Sequence, residues 1–310
     1  MMNAPLAPTA SAHITAIVLT FNEQLHIRRC IESLLPVVDR IVVVDSHSTD
    51  NTLAILAEYP GVVVIPHAFH NHAAQVNFAI AQLSATEADW LLRIDADEYL
   101  DARLAAFIQQ EVQGLPPAVT GVYLNRKMRF LGQLLQYGGM SDYWILRLWR
   151  HGLAHCEPRW MDEHMVLTQG DSRQAPGCLI DDNLNALSWW ARKHVDYATR
   201  EAIAVLQQRY ERPAENALPA RFWGSPSERT RYLKLRYLRL PLFIRPIFYF
   251  MYRYLFRCGF LDGKSGFLWH VLQGFWYRIM VDANLYEITK NARNKEEVKT
   301  YVSEKHGYKI

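Results

Sequence analysis

The chain reads as an α/β protein: a mostly parallel sheet with helices on both faces, followed by a helical C-terminal extension. Three observations predict this. Short apolar runs alternate with helix-period stretches through the first hundred residues. Each apolar run stops at a polar cluster. From about residue 187 the pattern turns helical and becomes dense in Arg, Tyr, Phe, Trp and Leu.

Residues 14–19 (ITAIVL) form the first strand, rich in β-branched side chains and followed by the polar turn Thr20-Phe21-Asn22-Glu23. Residues 24–35 place Leu25, Ile27, Cys30, Ile31, Leu34 and Leu35 at helical spacing. Residues 41–44 form a second buried strand ending at Asp45. Residues 46–50 make a turn able to cap a helix over 52–58. Residues 62–65 are a third strand, 73–83 a helix, and 90–94 a fourth strand. Ligands of such sheets lie beyond the carboxyl ends of the strands. The clusters at 20–23, 45–50 and 95–98 should therefore meet along one edge.

Residues 120–150 mix short β-like runs with Gly138-Gly139. Residues 187–206 give an amphipathic helix with Leu187, Ala191, Val195, Ala198, Ala202 and Val205 on one face. Pro213, Pro219 and Pro226 mark a linker. The expected organisation is a loose tail over 1–12, a catalytic unit over 13–186 whose halves divide near 115, and a helical, basic-aromatic region over 187–310.

The formal charge is only +3, but it is unevenly spread: residues 1–100 carry a net −7 and residues 221–257 a net +8. Two different partners are expected for two such halves. The four cysteines form no CxxC pair, which argues against a zinc site or a disulfide framework and fits a reducing cytosol. The first dozen residues lack the basic and apolar regions of a signal peptide. No run of about 18 apolar residues suggests a spanning helix.

Chemistry is most visible at Asp95-Ala96-Asp97-Glu98, three carboxylates at the end of an apolar strand. Packing like charges together is unfavourable without a cation. Mg²⁺ favours one or two carboxylates plus substrate phosphates, so a metal-bound diphosphate is the expected occupant. Asp45, also at a strand end, is either a turn acid capping the next helix or an acceptor for a base or ribose. The chain has no GxGxxG or GxxxxGK[ST], which argues against NAD and a P-loop. An aspartyl phosphatase would want a small hydroxyl residue or Val where Tyr99 stands.

Taken in order, Thr20-Phe21-Asn22-Glu23, residues 43–50 (VVDSHSTD), Gln75-Val76-Asn77 and Asp95-Ala96-Asp97-Glu98 resemble the motifs of family 2 glycosyltransferases with the GT-A fold, above all bacterial enzymes of lipopolysaccharide-core and exopolysaccharide assembly. The resemblance covers about residues 14–100. It implies a GT-A, nucleotide-diphospho-sugar transferase sheet of Rossmann-like type. It also implies that Thr20, Asn22, Glu23, Asp45, Ser48, Gln75, Asn77 and Asp95 bind the nucleotide-sugar. Asp97 is then the principal ligand of Mg²⁺ or Mn²⁺, with Asp95 assisting. The family's basic residue between Gln and Asn is replaced by Val76, and Arg93 or Arg147 is left to supply that charge.

Residues 160–165 (WMDEHM) set an ionisable triplet between apolar residues. Direct displacement at an anomeric carbon needs a base opposite the nucleotide, worth about 10²–10⁴ in rate. Strand alternation sends Asp162 and His164 to one side and Glu163 to the other, so spacing leaves both acids open. The resemblance places this triplet at the acceptor motif and favours Glu163. His164 is either a third metal ligand or structural.

Residues 189–194 (WWARKH) read as an amphipathic helix with an aromatic core face. Residues 229–239 interleave Arg and Lys with Tyr and Leu, and residues 240–256 follow with Pro241, Pro246, Arg245 and Arg253. No nucleic-acid recognition motif accompanies them. They fit a helix in the interface of an anionic membrane, or a helical subdomain packed on the catalytic unit.

The expected activity is thus inverting, metal-dependent transfer of a sugar from a UDP-sugar to a lipid-linked or lipopolysaccharide glycan. The expected location is cytoplasmic, peripheral on the inner membrane. The rivals are a sugar-1-phosphate nucleotidyltransferase, which wants a Gly-rich basic loop absent at 20–23, and a non-catalytic glycan-binding protein with a degenerate site.

Overall fold

In the computed structural model, residues 13–84, 88–158, 163–210 and 219–308 are described. The tail over 1–12 and Asp162 lie outside them. β1 (Ile14–Thr20) pairs in parallel with β2 (Arg40–Asp45) on one side and β4 (Trp90–Asp95) on the other. β3 (Val62–Pro66) extends β2, also in parallel. The polar strand ends consequently share one edge, as the alternating pattern predicted.

Beyond β4 the sheet turns mixed. The long β6 (Val119–Phe130) and β8 (Trp144–Arg150) pair antiparallel, and β8 runs antiparallel to β4. β11 (Asp171–Asp182) lies parallel to β6 and carries the short β5 (Glu98–Leu100). Nine strands result, ordered β3-β2-β1-β4-β8-β6-β11-β5, with β7 (Gln133–Leu134) hanging on β6. β9 (Ala154–Cys156) and β10 (Met165–Leu167) form a separate hairpin.

Period-two burial splits the core between the two faces of the sheet. On one face, Ala16, Val18, Val43 and Ile94 meet α1 (Ile27–Leu34) and α4 (Ala102–Gln110) through Ile31, Leu34 and Phe107. On the other, Ile17, Val42, Val44 and Leu91 meet α3 (His72–Ala81) through Val76 and Ala79. The short α2 (Thr52–Leu56) packs Leu56 into the first of these.

The C-terminal region builds a second core. α5 (Leu187–Tyr210) buries Ala198, Ala202 and Leu206 against Val281, Leu285 and Ile288 of α9 (Tyr277–Asn291), with Val298 and Val302 of α10 (Lys295–His306). The predicted face of α5 holds only in its second half. Leu187 and Val195 are exposed, because the first half of the helix turns Trp190 into a small aromatic cluster while Leu187 and Lys193 border a cavity. Pro226 is not linker: it opens α6 (Pro226–Leu238) inside a capping box, with Glu228 N donating to Ser225 Oγ and Ser225 N donating to the Glu228 carboxylate.

The helical region is docked on the sheet. Buried Asp262 accepts Gln136 N at 3.0 Å and Tyr137 N at 2.9 Å, and Gln133 donates to its carbonyl. Trp269, ending α8 (Gly263–Trp269), packs on Phe130 and Trp190. His270 is fully buried, and neither ring nitrogen has a partner. Its ring fills the space beside Gly138 and Gly259, where a Cβ would come within 2.2 and 2.4 Å of it.

Burial, helped by Arg253, pushes His270 down to about 4, and burial does the same to His194. The unfolded chain therefore binds protons first on acidification, and stability is lost as pH falls from about 6.5 toward 4. Thermal melts should show Tm falling through that window. His270→Phe should have a shallower dependence, since each such shift is worth on the order of 3 kcal/mol.

Candidate active site

Glu98 organises the acidic corner. Its side chain is fully buried, and its carboxylate accepts Asp95 N at 2.9 Å, Arg126 Nε at 2.8 Å and Arg147 Nη2 at 3.2 Å. Burial pushes Glu98 up, Arg147 draws it down, and neighbouring Asp95 pushes it up again; the net shift is upward. Burial would also raise Asp95, but Arg147, donating at 2.7 Å, and Arg93, at 3.5 Å, hold it well below the usual carboxylate range.

Three more carboxylates line this corner. Asp181 pairs with Arg126; burial and the nearby acids still leave it near 7. Asp182 takes Arg29 Nη1 at 2.6 Å. Asp97 receives only the Asn183 amide, at 3.2 Å, and has no ion-pair partner among the described residues. The corner thus compensates every carboxylate with a guanidinium except the one at the tip of the turn.

The other motif residues separate into two groups. Thr20, Glu23, Gln75, Asp95 and Asp97 line a cavity of about 1970 Å³, together with Glu163 and His164. Thr20 Oγ1 is buried there without a partner. Gln75 donates to Ser46 Oγ at 2.8 Å. Asn22, Asp45, Ser48 and Asn77 do not line it. Asp45 is committed to its own turn, accepting Ser48 N at 2.9 Å and Ser48 Oγ at 2.6 Å. Asn22, at φ 55°, accepts Thr49 N at 2.8 Å and so ties the first polar loop to the second. Asn77 clasps the backbone of Cys156, donating to its carbonyl at 2.8 Å and accepting its N–H at 2.9 Å.

On the acceptor side, Glu163 Oε1 lies 3.6 Å from Arg93 Nη2, so Arg93 stands between it and Asp95. His164 pairs through Nδ1 with Glu157 at 3.0 Å, and Arg231 donates to the same carboxylate. These contacts hold Glu157 down at about 2 despite its burial. Among the described residues no three His, Cys, Asp or Glu side chains form a metal cage. Asp95 and His164, expected to assist a metal, are engaged by arginines and by Glu157 respectively.

Sequence reading missed Lys193, Arg126, Asp181 and Asn183. Lys193 leans over the cavity from α5. Burial opposes its charge, but Tyr197, Asp97 and Glu23 outweigh that and raise its pKa. The one signal for it was its place in the aromatic stretch 189–197 of α5.

A sheet whose β3-β2-β1-β4 portion is parallel, with an acidic turn at the edge of a large cavity, defines this as an α/β protein with a ligand-sized site at its strand ends. Residues 15–151 match the family model described as glycosyl transferase family 2. An uncharacterised glycosyltransferase of Rickettsia felis is 44% identical over 91 residues, 29% of this chain and 31% of that protein, so the chain spans about a third of its length. The lipopolysaccharide core biosynthesis glycosyltransferase LpsC of Rhizobium meliloti is 25% identical over 283 residues, covering 88% of this chain and 92% of that one. Among solved structures, the mannosyltransferase PcManGT of Pyrobaculum calidifontis, in complex with GDP-Man and Mn²⁺, shares 15% identity at TM-score 0.48. That match covers 92% of this chain and 90% of PcManGT. Glucosyl-3-phosphoglycerate synthase of Mycobacterium tuberculosis, with Mn²⁺ and UDP, gives 17% and 0.40, covering 66% and 82%.

Removing the Glu98 charge leaves buried Arg147 and half-buried Arg126 with one acid each instead of two. Glu98→Gln should destabilise the fold by about 3–5 kcal/mol, read as a fall in Tm. Asp97→Asn, which breaks no ion pair, should melt like the unaltered protein.

Proposed function

We propose that the chain is an inverting, metal-dependent hexosyltransferase. It moves a sugar from a UDP-sugar to a lipid-linked or lipopolysaccharide glycan at the cytoplasmic face of the inner membrane. The observation that carries this reading is Asp97, a carboxylate facing the cavity with no ion-pair partner among the described residues. A hard cation arriving with a diphosphate satisfies it, because Mg²⁺ takes few carboxylates and completes its shell with phosphate oxygens. The donor set therefore fits Mg²⁺ or Mn²⁺ held through Asp97, with Asp95 behind it as an arginine-compensated wall. Such an ion supplies Lewis-acid stabilisation of the departing diphosphate.

The remaining roles follow from position. Thr20, Glu23 and Gln75 line the nucleotide end, while Asn22, Asp45 and Ser48 fix the loops that shape it. Lys193 faces the diphosphate opposite Asp97. Glu163 takes the proton of an acceptor hydroxyl as its oxygen attacks the anomeric carbon, and the nucleoside diphosphate leaves from the other face. Asp162 is the alternative base and lies outside the described residues. The length-wide similarity to LpsC supports a core-oligosaccharide acceptor.

A membrane surface fits the outer side of α7 (Ile244–Met251) and the turn after it. Ile244, Ile247, Phe248, Met251 and Leu255 recur at helical spacing and are exposed, and Phe256 is 76% exposed. The single acid between residues 240 and 268 is Asp262, which is buried, while Arg257 and Lys264 are exposed. An apolar stripe with a cationic rim suits anionic lipid. No helix among the described residues is long and apolar enough to cross a membrane.

A thermal-shift screen of nucleotide-sugars with Mn²⁺ identifies the donor, and transfer assays test the assignments. Asp97→Ala should abolish Mn²⁺-dependent transfer; full activity would refute the metal role. Glu163→Gln should lower kcat by about 10²–10⁴, and a kcat near that of the unaltered enzyme would move the base to Asp162. Phe248→Asp with Phe256→Asp should lose co-flotation with phosphatidylglycerol vesicles while the melting temperature holds.

A further inference from the structure

The helical end of the cavity carries a cluster that the transfer chemistry leaves unused. Lys234 and Tyr237 of α6, Tyr249 of α7, Arg253 just after it and Arg278 of α9 all line this end. They touch one another: Arg253 Nη1 donates to Tyr249 Oη at 3.2 Å, and the Tyr237 and Tyr249 rings sit 5.6 Å apart. The Arg278 guanidinium lies 5.7 Å from the Tyr249 ring and 6.0 Å from the Tyr237 ring. One acid, Glu201, serves both Lys234 at 2.8 Å and Arg278 at 2.9 Å. Glu201 thus serves two of the three cations in this recess, while Arg253 is held by the Gly138 carbonyl and Tyr249.

Two independent features mark the recess as built for something. Tyr237 Oη and Trp269 Nε1 are buried donors without partners, and Trp269, only 6% exposed, lines the same cavity. Leaving such groups unpaired is costly. The flanking backbone is also π-helical, over Tyr252–Phe256 and again over His270–Trp276. This geometry is rare and concentrates at functional sites. The electrostatics agree: burial pushes the Tyr249 phenol up, yet Arg253 and Arg278 overcome it and bring it below its ordinary value.

We propose that this recess binds an anionic substituent, a phosphate or carboxylate, on the acceptor glycan. Arginine forks match the geometry of such oxyanions, and their hydrogen bonds strengthen in a low-dielectric recess. The donor diphosphate is not the occupant, because its place is at Asp97 and Lys193. A lipid headgroup is not the occupant either, because the apolar stripe of α7 faces outward while Tyr249 and Arg253 face the cavity. The anion is bound whatever carries it; naming the acceptor as its carrier rests on the glycosyltransferase reading.

The test is calorimetric titration of the full chain with inorganic phosphate and with glucose 6-phosphate at constant ionic strength. Arg253→Gln should weaken both ligands about tenfold or more, as loss of a charge-assisted hydrogen bond implies. Tyr249→Phe should weaken them by a smaller factor. It leaves Arg253 bonded to the Gly138 carbonyl, so it serves as the probe should Arg253→Gln fail to fold. Both variants should keep the thermal shift given by nucleotide-sugar with Mn²⁺, and should float with phosphatidylglycerol vesicles as the unaltered chain does. Phosphate affinity unchanged in the folded variants would overturn the site. Vesicle binding lost in step with phosphate binding would overturn the acceptor assignment in favour of a headgroup. Phosphate binding in a chain that shifts with no nucleotide-sugar would remove the glycosyltransferase reading and the acceptor with it, leaving a bare anion site.

Discussion

A fully buried carboxylate is tolerated only when its charge is met, and Glu98 is met from three directions. The Asp95 N–H closes the acidic turn onto it. Arg126 and Arg147 arrive from β6 and β8, strands that lie side by side in the sheet. Each arginine then reaches a second acid, Arg147 to Asp95 and Arg126 to Asp181. The corner is thereby assembled before any ligand binds, with one carboxylate kept out of the network. Preorganised charge of this kind costs no rearrangement when a ligand binds.

The cavity belongs to both regions of the chain. The sheet edge contributes most of the acids, and the helical region contributes eight of the twelve arginines and lysines that line it. Asp262 and His270 hold the two regions together, so the helices complete the site as well as flank it. Acids of the first hundred residues and cations of the segment 221–257 therefore line one cavity.

What could be read from the sequence was local. The parallel strands declared themselves because burial on both faces demands unbroken apolar runs, as over 41–44 and 90–94. Their polar ends gave the position of the site. The internal economy of the site was not legible. Glu98 depends on arginines 28 and 49 residues away, and nothing in DADE distinguishes a buried acid from an exposed one. Asp45 and Ser48 resemble ligands in sequence but satisfy each other in space. The face of α5 was misjudged in its first half because a helix bordering a cavity needs no continuous apolar stripe. Lys193 was hidden for the same reason.

Asn77 shows how such a scaffold can diversify. It stands on α3, yet it grips the β9–β10 hairpin, and it does so only through the backbone N–H and carbonyl of Cys156. A grip on main-chain atoms is blind to side chains. The hairpin sequence is thus free to drift while its height above α3 stays fixed, and with it the place of the segment that carries Glu163. Side chains can be rewritten on one side of this clasp without re-registering the other.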